Sequence, residues 1–227
     1  MEIDFTSKIK ASDVDKIAYE ATREELAEQA SHSFKVLNID FDKIPIIFPA
    51  KNSSIATKDE LISIKYVQDN WKPSETLLKK CDDEPDKIIT DFYEKVYGEN
   101  AYELFDIEAV MKDLNVFIMR AKMFYKRARP YQVSDYHNVK INFNKKMQHK
   151  GTANTPSYPS GHTAAGFLAA RICSHFKPEC EEEFSRLAKL VGKSRIKEGV
   201  HFKSDNDYSE LLVDSILMPA YLKHLNE

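Results

Sequence analysis

From Ile107 to Tyr125 the apolar side chains Ile107, Val110, Met111, Leu114, Phe117, Ile118, Ala121 and Tyr125 recur at the helical period without a break. A stripe of that width is stable only when other elements cover it, so this stretch predicts a long helix packed against a core. Shorter stretches carry the same period. Ser12-x-x-Asp15 opens one with Val14, Ile17, Ala18 and Ala21, and Thr57-x-x-Glu60 reads as a capping box ahead of Leu61, Ile64 and Val67. Ile88, Ile89, Phe92, Tyr93 and Val96 run into Gly98, a helix stop. Helices over 163–176, 181–197 and 205–225 complete the set. The one strand-like run, Ile44 to Phe48, has prolines at 45 and 49 and makes a poor sheet member. The expectation is an all-α fold: one compact multi-helix domain over residues 1–227, with N-terminal helices over 1–105 and a core over 106–227.

The bulk numbers narrow the function. With 42% apolar residues, a chain of 227 can build a sizeable core, and a net charge of −3 leaves no basic footprint for nucleic acid. Cys81, Cys173 and Cys180 are odd in number and lack paired spacing, which reads as reduced thiols. The first residues, Met1-Glu2-Ile3-Asp4-Phe5, have neither the basic nor the apolar part of a signal peptide. No window approaches the ~18 apolar residues that a spanning helix needs. The expected location is cytoplasmic, or periplasmic if a leader has been removed.

Two cations lie beside the central stripe. Lys122 follows Ile118 by one turn, and Arg129 comes seven residues later, so on a continuous helix both leave the same face. Cations on an inward face are costly unless an anion meets them. Pro130 is expected to end the helix. In isolation, this stretch reads equally as a solvated basic helix end, with Lys126 and Arg127 part of it. Pro159-Ser160-Gly161-His162 comes next. Ser160 is a natural N-cap, Gly161 lets an oxyanion approach the backbone, and His162 falls in the first turn. The third group is Ser194-Arg195, then His201 and Asp205. A carboxylate four residues from a histidine can hold Nδ1–H and leave Nε2 as a nucleophile.

These three groups, Lys122-x6-Arg129-Pro130, Pro159-Ser160-Gly161-His162 and Ser194-Arg195-x5-His201-x3-Asp205, resemble the tripartite signature of the type 2 phosphatidic acid phosphatase superfamily. That superfamily takes in soluble bacterial class A acid phosphatases, membrane lipid phosphatases and vanadium haloperoxidases. The resemblance is tightest over 122–205. The first 100 residues carry no part of it, and Asn206-Asp207-Tyr208-Ser209-Glu210 stands where many relatives have small residues and glycine. The resemblance implies a metal-independent phosphomonoesterase with its active site at helix ends. His201 would attack phosphorus, Asp205 would steady the imidazolium, and His162 would protonate the leaving group. Lys122, Arg129, Ser160, Gly161 and Arg195 would hold the phosphoryl oxygens.

The same residues would hold vanadate, so a vanadium-dependent haloperoxidase is one alternative, although such chains are much longer. A phosphate-binding module that no longer turns over is the other. No cofactor and no metal cluster is expected, and the partner is a small phosphorylated molecule. His137 and His149 lie in the 131–158 connection, while His32, His175 and His224 sit on predicted helices without partners. Selectivity should come from the N-terminal part and that connection, which is long enough to act as a lid.

Overall fold

The computed structural model describes residues 10–18, 31–37, 39–143 and 153–227, and its regular structure there is entirely helical. Eight helices of two turns or more carry the architecture: α1 (Ile55–Asn70), α2 (Glu75–Asp83), α3 (Lys87–Tyr97), α4 (Ile107–Tyr125), α5 (Gly161–Phe176), α6 (Glu181–Lys197), α7 (Lys203–Leu212) and α8 (Met218–Leu225). The all-α expectation holds.

The core forms around α5, whose residues from Ala164 to Ala170, four of them alanine and one glycine, are all buried. Small side chains let neighbours approach closely, and α6, α3, α7 and α4 all pack on it. Gly166 is part of this fit, since a Cβ there would lie 3.4 Å from Val191. The predicted stripe of α4 faces inward through Ile107, Val110, Leu114, Phe117 and Ile118, whereas Phe124 is exposed.

Several boundaries differ from the expectation. The segment opened by Ser12 is helical only over Ala11–Val14; Ala21 lies outside the described residues. The cap of α1 is Ser54, whose hydroxyl accepts from the Thr57 N–H at 3.2 Å, so Thr57 and Glu60 do not form a capping box. Pro130 does not end α4. Lys126 does so in the left-handed region (φ 53°), and Pro130 begins a separate turn, Pro130–Val133. The predicted 205–225 helix starts at Lys203 and widens into a π segment at Val213–Leu217 before α8. Pro219 explains the widening, because it has no N–H to give to the preceding turn.

Gly98 stops α3 as expected, and Gly199 turns the chain after α6, both with φ near 70°. The strand-like run 44–50 is extended but unpaired. The Tyr208 hydroxyl donates to the Pro45 carbonyl at 2.7 Å and Tyr158 to the Ile47 carbonyl at 2.9 Å, which pins it across α4 and α7. His32 is neither helical nor without a partner. Its Nε2 is 2.8 Å from Asp113, which also accepts the N–H groups of Lys35, Val36 and Leu37 and fastens that segment to α4. All three cysteines are free, and Cys81 and Cys173 are buried.

Candidate active site

Lys122, Arg129, Gly161, His162 and His201 line one cavity of about 440 Å³, with Asp82, Asp83, Asp86, Met111, Asn115, Ile118, Met119 and Thr155 among the rest of its wall. Each comes from the end of an element. Lys122 lies in the last turn of α4, Gly161 and His162 in the first turn of α5, and His201 between α6 and α7. Ser160, Arg195 and Asp205 are fully buried behind that wall.

The His201 ring is fixed from both sides. Its Nδ1 lies 3.0 Å from Asp205 Oδ2, and its Nε2 is 2.9 Å from an Arg129 amino group. A guanidinium only donates, so Nε2 accepts and Nδ1 carries the proton. Burial holds the His201 pKa well below 6.5, with Arg129, Lys122 and Arg195 adding to it. The ring is therefore neutral, with its lone pair on the cationic side of the cavity. Asp205 also caps α7 through the Phe202 N–H at 2.9 Å, so helix geometry fixes the carboxylate that fixes the imidazole.

The cations are buried too. Lys122 Nζ meets the Pro156 carbonyl at 2.5 Å, and burial with neighbouring Arg129 drives its pKa well below the usual ammonium range. Arg129 donates to the carbonyls of Thr155 and Val200, each at 2.8 Å. Arg195 is wholly enclosed, with one amino group 3.0 Å from Asp82 and 2.8 Å from Glu198. Its Nε–H and its other amino group have no partner among the described residues. Buried donors left unsatisfied are costly, and an oxyanion would satisfy them.

Ser160 is the cap of α5. Its hydroxyl accepts from the Thr163 N–H at 3.4 Å and its own N–H donates to Ser209 at 2.9 Å. The segment after Asp205 turns its polar side chains to the same end. Asn206 bridges the Gly192 carbonyl and the Thr163 hydroxyl, and Ser209 donates to the Ser160 carbonyl at 2.9 Å. These bonds cross-link α5, α6 and α7.

Sequence reasoning missed two contributors. Arg127, read as part of a solvated helix end, is buried. It donates to Asp205 Oδ1 at 2.6 Å, to Glu60 at 2.7 Å and to the Ser204 hydroxyl at 2.7 Å, over the Phe202 ring. Asp82, in the last turn of α2, has its carbonyl 2.9 Å from His162 Nε2. An acidic pair at a helix C-terminus, Asp82-Asp83, was the one available signal, because the helix dipole disfavours it. His137 is 2.7 Å from the Asn52 carbonyl, away from the cavity, and His149 lies outside the described residues.

Among the described residues, fold and cavity together define an all-helical body with a recessed cavity at converging helix ends, where Lys122 and Arg129 face Asp82, Asp83 and Asp86. Residues 109–211 match the model of the PAP2 superfamily. The chain is 36% identical over 87 residues to a non-specific acid phosphatase of Salmonella typhimurium, a match covering 38% of this chain and 33% of that protein. It is 36% identical over 112 residues to a non-specific acid phosphatase of Providencia stuartii, covering 47% of this chain and 43% of the relative. The chain thus spans less than half the length of these relatives.

Proposed function

We propose that this protein is a phosphatase that hydrolyses small phosphate monoesters through a phosphohistidine at His201. The observation that carries this reading is the two-sided fixing of the His201 ring, with Asp205 on Nδ1 and Arg129 on Nε2. The names of the relatives, non-specific acid phosphatases, support the hydrolysis of phosphate esters.

Docking of a phosphoryl group draws Arg129 from Nε2 onto the anion, and Lys122, the orphan donors of Arg195 and the N-terminal amides of α5 take the other oxygens. Nε2 then attacks phosphorus in line. The P–N bond forms as the bond to the ester oxygen breaks, and that oxygen takes a proton from His162. Asp205 steadies the imidazolium. In the second half, His162 removes a proton from water, water attacks phosphorus, and the P–N bond breaks to give inorganic phosphate and neutral His201. Each preorganised donor of this kind is typically worth ~10²–10³ in rate. The positive charge that a metallophosphatase takes from its metal is carried here by lysine and arginine, so no cofactor has a part in these steps.

Rapid quenching of the protein with a labelled phosphate ester tests the reading. Acid-labile, base-stable label on His201, absent in His201→Ala, is expected. Full turnover by the folded His201→Ala protein would overturn it.

A further inference from the structure

The part of the chain before residues 109–211 supplies a carboxylate to this site. Asp82 is buried at the end of α2, and its side chain lies 3.0 Å from Arg195 and 3.5 Å from His162 Nε2. Its carbonyl is 2.9 Å from the same Nε2. A carbonyl oxygen only accepts, so Nε2 carries a proton and Nδ1 is the nitrogen that gains and loses one. We propose that Asp82 is a positioning residue for the reaction, orienting His162 for proton delivery while restraining Arg195 and so weakening the grip on the anion.

Three observations carry this. An acidic side chain in the last turn of a helix opposes the helix dipole, so local structure does not favour Asp82 where it stands. The same carboxylate faces both the histidine assigned the proton and the arginine with two unsatisfied donors. A negative charge beside an anion site also costs binding energy, yet it favours the imidazolium that the leaving group needs. Groups of both signs face His162. Burial and then Arg195 from α6 disfavour its charged form and Asp82 opposes them, while Lys122, His201, Asp83 and Asp86 line the same cavity. The proton given to the leaving oxygen departs from Nδ1, and Nε2–H stays on Asp82 throughout.

The proposal rests on the phosphatase reading, and its test has an arm that needs no turnover. Calorimetric titration of Asp82→Asn with inorganic phosphate and with vanadate should show binding tightened about tenfold. Its kcat on an alkyl phosphate should fall tenfold or more, its kcat on nitrophenyl phosphate much less, and the alkaline limb of the rate should move to lower pH. Glu198→Gln separates the two roles, because Glu198 meets Arg195 and not His162. It should tighten phosphate and leave the ratio of the two substrates unchanged, and Asp82→Ser, read as Asp82→Asn is, carries the test if Asp82→Asn does not fold. Weaker or unchanged phosphate binding in the folded variants would overturn the proposal. A wild-type protein that binds phosphate but hydrolyses no ester would refute the phosphatase reading alone.

Discussion

Arg127 donates to Asp205 Oδ1 at 2.6 Å, on the oxygen opposite the one that meets His201 Nδ1 at 3.0 Å. One carboxylate therefore carries a permanent cation on one side and the candidate nucleophile on the other. Glu60 of α1 takes the remaining arm of Arg127 at 2.7 Å and the Ser204 N–H at 2.8 Å, tying α1 to the start of α7. The ring of His201 is steered through this chain of contacts.

Arg127→Met should cost stability and rate together. It keeps the volume but leaves Asp205 buried without its cation, a change typically worth ~3–5 kcal/mol. With the carboxylate free to rotate, kcat should fall at least tenfold while phosphate binding changes little. Thermal melts and steady-state kinetics check this; a variant with wild-type kcat would remove Arg127 from the positioning of His201.

His162→Ala should discriminate between substrates. It removes the proton donor to the leaving oxygen, so alkyl phosphates should lose about 10²–10⁴ in rate and nitrophenyl phosphate far less. Equal losses would contradict the acid role.

Arg129→Ala and Arg195→Ala should each raise the vanadate and phosphate inhibition constants at least tenfold. Arg195→Lys should recover only part, because an ammonium cannot replace the Nε–H and amino pair of a guanidinium. Activity should survive excess EDTA. Inhibition unchanged in both alanine variants, or activity lost to chelator and restored by zinc or magnesium, would reject the cation-lined phosphoryl site.

Stability should fall on the acid side. Burial first, and then Arg195, pushes the His162 pKa down to about 4, and His201 lies well below its ordinary 6.5. The unfolded chain takes up both protons near 6.5 and the folded chain later. The contribution is therefore complete above 6.5 and is lost as pH falls from there towards 4. Between pH 7 and 5 the free protein should lose roughly 5 °C in Tm for each histidine. Saturating phosphate should shrink that loss, since a bound anion favours both imidazolium forms. For catalysis the sign is opposite at His162, which must start protonated. The alkaline limb of kcat/KM should thus lie at lower pH than that of kcat. Scanning calorimetry and pH–rate profiles read both, and a Tm independent of pH over that range would contradict the buried neutral rings.

Gly199→Ala should weaken the turn that delivers His201. Its φ is +70°, and an added Cβ would lie 2.4 Å from the Asn142 carbonyl. The expected loss is more than about 1 kcal/mol, with kcat falling alongside. A neutral substitution would show that the turn can be closed another way.

Much of this was legible in the residues. The period of Ile107–Tyr125 dictated the long helix α4, because an apolar stripe has only one low-energy place to go. Ser160 and Gly98 marked element ends, since capping and positive φ are local chemistry. The spacing of His201 and Asp205 foretold their contact, a distance set within one turn of chain.

Tertiary structure alone decided the rest. Lys122 and Arg129 do not share a helix face; they converge because Lys126 breaks α4 and the chain turns Arg129 back into the cavity. Arg127 reads as solvated charge until Glu60, 67 residues earlier, and Asp205, 78 later, are folded against it. Asp82 joins the cavity only because α2 ends against the start of α5 and the end of α6. Local pattern fixes torsions and faces, but whether a charge ends in water or against a partner depends on contacts between residues far apart in the chain, and these exist only once the helices pack.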